Sequence, residues 1–218
     1  MAIQIQGNGG VIADVDGTNF RALRVANRPV DYGALGIYSV SMSTGVMAAG
    51  LAAGAEIWQL RWTDATRFCA VYSVEFDGAG SIAAFAAGAT RADVVIARNW
   101  TADGSGGTAA TLTGNNNKLR SSMGSPLVGA VRIASTAALT AGTKTLDSQA
   151  VGAIARGATA TAGIEILPAL HLFSASDDSD NHPIVLAQNE GLVVRCTVPA
   201  TGTWTGGVSS RWAELGAY

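Results

Sequence analysis

Two histidines, His171 and His182, are the side chains whose ordinary titration lies nearest neutrality. No HExxH, HxH or CxxC spacing accompanies them, so the pattern builds no zinc site. A serine triad would have to recruit one of them to a distant Ser and Asp, and the GxSxG elbow is absent. The glycine runs at residues 7–10 and 103–107 lack the lysine and following helix of a phosphate loop. The densest polar cluster is Asp177, Asp178, Asp180, Asn181 and His182. Its carboxylates could offer oxygens to a hard cation such as calcium, but the EF-hand spacing is missing and a solvated acidic turn is the plainer reading. Asp14, Asp16 and Asn19 invite the same idea more weakly. The expectation is therefore no catalytic residue, no metal beyond those weak aspartate candidates, no cofactor and no enzyme.

Glycine, alanine and threonine fill 86 of the 218 positions, while charged residues are only 14%. Such a surface is poorly protected against self-association. Twelve of the fourteen basic residues are Arg, which suits fixed contacts at partly covered surfaces, and only Lys118 and Lys144 are Lys. The formal net charge is -2 and the arginines are spaced singly. A nucleic-acid partner would need a concentrated positive footprint, so direct binding is not expected. The apolar run GVMAAGLAAGAEIWQL is broken by glycines and carries Glu56, which argues against a membrane span. The opening MAIQIQGNGG has no basic region before an apolar stretch and does not read as a signal peptide. Cys69 and Cys196 sit in separate apolar runs and read as two small buried hydrophobes, with a disulfide open only to neighbouring strands.

The elements that must position these residues read as strands. Gly36 to Ser43 alternates Ile37, Ser39 and Ser41 against Tyr38, Val40 and Met42. Ala55 to Trp62 and Arg67 to Phe76 alternate across a Thr63–Thr66 turn, which predicts a β-hairpin over 55–76. On it, Phe68, Ala70, Tyr72, Val74 and Phe76 fall on one face. Residues 77–80 read as a turn, and 81–90 as a short helix or a weak strand. Pro183 to Ala187 and Leu192 to Val198, joined by Gln188-Asn189-Glu190-Gly191, predict a second hairpin. Gly206-Gly207 predicts a bulge in the last strand. The aromatic residues lie on these strands, which favours core packing over stacking on sugar rings. The fold expected is all-β: an antiparallel β-sandwich, with a jelly-roll connection as one form, and long Gly/Ala/Thr-rich loops over 101–125 and 134–163. An extended N-terminal arm over 1–20 precedes a single domain over 21–218.

At LRWTDATRFCAVYSVEF, RNWTADGSGGTAATLTGNNNKLRSSMGSPLVGAVRIAS and HPIVLAQNEGLVVR the chain resembles structural virion proteins of tailed bacteriophages. The resemblance spans about residues 60–217 and includes capsid decoration (cement), head-fibre and tail components. It implies a protein assembled in the host cytoplasm into the virion, where it binds major capsid or tail proteins as a homotrimer or other homo-oligomer, without membrane association. A tail or head-fibre protein with a carbohydrate- or receptor-binding role is the alternative. The loop-borne residues Arg28, Tyr32, Asn115, Asn116, Asn117, Arg120 and Arg156 are the interface candidates, and the 101–125 loop is expected to be exposed and ordered by a neighbouring subunit.

Overall fold

The computed structural model describes residues 36–48, 50–51, 53–175 and 182–216, and these belong to one compact unit, Ala34–Tyr218. Among the described residues the regular structure is entirely β. The strands are β1 (Gly36–Ser43), β2 (Met47–Ala48), β3 (Ala55–Trp62), β4 (Phe68–Ala83), β5 (Gly88–Ala102), β6 (Thr108–Ala109) and β7 (Val128–Ile133). They continue with β8 (Thr143–Leu146), β9 (Gly152–Ala158), β10 (Glu165–Ser174), β11 (Ile184–Leu186), β12 (Glu190–Thr197) and β13 (Thr203–Leu215). The first sheet runs β1-β13-β4-β10, with β11 on β4 and β2 on β13. The second runs β6-β7-β3-β12-β5-β8, with β9 on β5. Every pairing is antiparallel. The two sheets share one apolar core, the arrangement of a β-sandwich.

That core is aromatic. Trp58 and Trp62 enter it from β3 and Trp204 and Trp212 from β13, all buried. Tyr38 of β1 stacks on Trp212 with ring centroids 5.6 Å apart. Each such ring buries on the order of 200 Å², so these side chains dominate the hydrophobic term. The alternation expected over β1 is realised, with Tyr38, Val40 and Met42 against the core and Ser41 and Ser43 in solvent.

Three expectations about the strands fail for identifiable reasons. The segment 55–76 is not a hairpin: β3 pairs with β7 and β12 in one sheet, while β4 pairs with β10, β11 and β13 in the other. The turn at 63–66 therefore carries the chain across the sandwich. Asp64 Oδ1 accepts the Thr66 and Arg67 amides there, so the turn chemistry is real although its partner strands differ. The 183–198 segment repeats this, since β11 lies on β4 and β12 lies between β3 and β5. Thirdly, β4 does not keep one face. A register shift opposite Arg211 and Trp212 makes Tyr72 an extra residue. Val71, Val74 and Phe76 point into the main core, while Phe68, Ala70 and Tyr72 join Ile37, Ala213 and Leu215 in a satellite cluster.

The loop expectations are corrected as well. Residues 77–80 are not a turn, because β4 runs unbroken to Ala83; 81–90 holds the end of β4 and the start of β5, and no helix. Residues 101–102 complete β5, and 134–163 contains β8 and β9. The register does shift between Gly206 and Val208, but the extra residue is on the partner strand: Gly207 faces both Asp77 and Gly78, so the bulge belongs to β4 and not to the last strand.

Candidate functional site

The sequence singled out the 101–125 loop, and the structure shows what that loop does within its own chain. After β6 pairs with β7, the chain crosses to the free edge of β1. There Ser39 donates its amide to the Asn117 carbonyl at 2.9 Å, and Leu119 donates to Ile37 at 3.1 Å. Asn117 adds a side-chain bond from Nδ2 to the Ser39 carbonyl, and Tyr38 donates its hydroxyl to Gly124 at 3.1 Å. An exposed sheet edge invites pairing with another chain, and this loop blunts the edge of β1. These contacts to β1 are made within the chain itself. Asn117 has φ of 66°, which asparagine tolerates better than most residues.

The other interface candidates divide. Asn115 and Asn116 are exposed; Asn115 accepts from Lys118 at 3.5 Å and Asn116 Nδ2 donates to the Thr113 carbonyl at 2.7 Å. Arg120 is exposed and donates to Ser122 Oγ at 2.9 Å. Arg156 is not a loop residue but an exposed member of β9, paired opposite Thr90. Arg28, Tyr32, the 1–20 arm and the aspartates Asp177, Asp178 and Asp180 lie outside the described residues. Among the described residues no three His, Cys, Asp or Glu side chains converge as a metal site would require.

Beyond the satellite cluster, part of the outer face of the first sheet is open and polar. One cross-strand row carries Ser41, Ser209, Glu75 and His171 in register. His171 Nδ1 lies 3.1 Å from Glu75 Oε1, with both side chains more than two-fifths exposed. Beside this row Asp77 accepts from Ser209 Oγ at 2.9 Å and Ser41 Oγ at 3.2 Å. Asp77 ends a shallow trough of about 600 Å³ floored by Gly78, Gly80, Gly206 and Gly207. The histidine–carboxylate pair therefore lies on an open face and not in a cleft.

Part of the outer face of the second sheet is covered by the chain itself. A bulge in β3 opposite Val194 and Arg195 brings Ile57 and Trp58 both into the core, and Glu56 and Gln59 to the opposite side. Segments around Gly104 and Thr140 close over them. Lys144 lies beneath, its side chain 1% exposed, its Nζ 2.7 Å from Glu56 Oε2 and 4.5 Å above the Trp100 ring. Nearby, Asp93 is clasped by Arg195 through two bonds of 2.8 and 3.1 Å and by Arg91 at 3.2 Å. The Lys144 cluster escaped sequence reading because its members are far apart in the chain. The available signals were Glu56 and Gln59 within an otherwise aromatic strand and a lysine in a Thr/Gly-rich stretch.

At one end of the sandwich Glu214 is buried, and its Oε1 accepts the Leu127 amide at 2.7 Å. Burial pushes its carboxyl up to about 7, opposed by that amide. Burial, with the Glu214 charge adding to it, pushes Tyr38 up to about 12 and Cys69 well above the ordinary thiol range. Cys196 is pushed up to about 12 by burial. Both cysteines are free, and they stand in different sheets. Buried thiols held neutral are poor nucleophiles. All five tryptophans are buried, which leaves no Trp available to stack on a sugar ring. No protein-family model matches the chain, and no curated protein sequence matches it.

Proposed function

We propose that this chain is a structural protein of a tailed-bacteriophage virion, acting as a capsid decoration (cement) protein that stabilises the head through contacts between subunits. The observation that carries the reading is the strand order. Taken in sequence, β1, β3, β4, β5, β9, β10, β12 and β13 form four antiparallel pairs: β1 with β13, β3 with β12, β4 with β10, and β5 with β9. First with last, second with seventh, third with sixth and fourth with fifth supports reading the sandwich as one long hairpin wrapped into a jelly roll. That architecture recurs in viral capsid and lectin domains. Fold-level analogy alone does not fix a function. It joins here with the sequence resemblance and with a surface poor in Lys, where small side chains permit close approach of another subunit.

The reading makes the protein a homotrimer or other homo-oligomer bound to major capsid protein, assembled in the host cytoplasm and carried in the virion. Light scattering on the purified chain should give a multiple of its 22.1 kDa mass. Imaging of labelled virions should place many copies on the capsid lattice. A strictly monomeric chain that does not bind isolated heads would sink the proposal. A few copies confined to the tail would transfer it to the tail or head-fibre reading. The carbohydrate form of that second reading loses its expected tryptophan platform, and its remaining support is the trough ending at Asp77.

A further inference from the structure

We infer that Lys144 and Gln59 become joined by an isopeptide bond that the protein forms on itself, with Glu56 carrying the proton. This inference stands on the second sheet's outer face alone and does not depend on the virion reading. Three groups meet there away from water: the Lys144 amine, the Glu56 carboxyl and the Gln59 carboxamide, with Gln59 only 3% and Glu56 only 8% exposed. One oxygen, Glu56 Oε2, serves both of the others. It accepts from Lys144 Nζ at 2.7 Å and from Gln59 Nε2. Gln59 Nε2 also donates to the Thr140 carbonyl at 2.9 Å, which fixes the plane of the carboxamide.

The surroundings hold this geometry and exclude water. The Trp100 ring covers one side of the amine at 4.5 Å. Over the carboxamide, Gly104 packs so closely that a Cβ there would lie 2.1 Å from the Thr140 carbonyl and 2.5 Å from Gln59 Oε1. Lys144 also donates to the Ala141 carbonyl, so its position is set from two sides. The 2.7 Å contact gives the Lys144 proton a direct path to Glu56 Oε2. Proton transfer from Lys144 to Glu56 leaves a neutral amine beside a neutral acid. Desolvated lysine amines are competent nucleophiles, and fixed proximity replaces a collision with an intramolecular step.

The chemistry balances without an oxidant or a co-reactant. The Lys144 nitrogen lone pair forms a bond to Gln59 Cδ. Glu56 gives its proton to Nε2, the Cδ–Nε2 bond breaks, and ammonia leaves. The surplus proton on the new amide nitrogen returns to Glu56, which is thereby regenerated. The product is an amide joining β3 to the first residues of β8.

Intact-mass spectrometry of the purified full chain tests this directly. The expected mass is that of the sequence less one ammonia, and digestion should yield the peptide carrying Gln59 joined to the one carrying Lys144. A chain at its full sequence mass overturns the inference. So does loss of ammonia without a joined peptide, since cyclisation at an asparagine gives the same mass change. Lys144→Arg keeps a cation for Glu56 and Trp100 but removes the amine, and its chain should have the full sequence mass. Glu56→Gln keeps the size of the side chain and should also block the bond. A joined peptide in Glu56→Gln would overturn the role given to Glu56. The wild-type measurement needs no variant to fold.

Discussion

Glu214 shows how much one buried carboxyl can impose on this fold. Its folded pKa is raised to about 7 from 4.5 by burial, so the folded state favours the protonated acid more than the unfolded chain does. The associated stability is fully present below about 4.5 and is lost as pH rises through about 7. Glu214→Gln keeps an oxygen for the Leu127 amide and removes the titration. Urea unfolding should find the variant more stable than the parent at pH 8, by about 2 kcal/mol after allowance for screening, and close to it at pH 4. Equal pH slopes for the two proteins would contradict this. Core truncation acts differently: Trp212→Ala opens a void beneath Tyr38, should cost about 3–5 kcal/mol at any pH, and is read in the same unfolding experiment. The placing of tryptophans on strands was legible in the alternating pattern. The burial of Glu214 was not, because a glutamate is ordinarily exposed and this one is enclosed by β1, β4 and the Leu127 loop, which are far away in sequence.

At the scale of elements, turn chemistry was legible and strand partnership was not. Asn189 lies at φ of 62° in the turn from β11 to β12. There Glu190 donates its amide to the Ala187 carbonyl and accepts the Ala187 amide on Oε2. These bonds fix a reversal over four residues, which is all the sequence cues specify. Whether the next strand lies beside the last or crosses to the other sheet is decided by the faces both must bury, and that information is distributed over the whole fold. Bulges hid more: the extra residues at Ile57 and Tyr72 break the period-two pattern from which faces are read. The Ala/Thr/Gly stretches read as loops because small residues give no alternation, yet β8 and β9 form there by pairing with β5. Asn189→Gly should change stability by less than about 0.5 kcal/mol, since glycine adopts this φ freely. Asn189→Val should cost about 1–3 kcal/mol, because a β-branched residue is strained there, and chemical denaturation of the two variants measures the contrast. Equal losses in both would place the cost in the asparagine side chain and not in the backbone.

At the scale of the whole molecule, the pairing pattern sets how the chain must fold. β1 at residues 36–43 pairs along its length with β13 at 203–215, so sheet one closes only when the far ends of the unit meet. β13 also lies between β1 and β4 and supplies Trp204, Val208 and Trp212 to the shared core. β12 occupies the same central place in the second sheet, between β3 and β5. No group of neighbouring strands among the described residues completes a sheet without a strand from the other end of the sequence. Loop-closure entropy is then lost before most pairing is gained, which slows folding. Stopped-flow refolding of the full chain should accordingly be slow, on the order of milliseconds to seconds, with a single cooperative unfolding transition for this unit. A chain ending at residue 202 lacks the central strand of sheet one and should show neither a cooperative transition nor the near-ultraviolet circular dichroism of packed tryptophans. If that truncated chain instead melts cooperatively with an intact aromatic signal, the sheets are stable in halves. The nested closure inferred from strand order would then not govern folding.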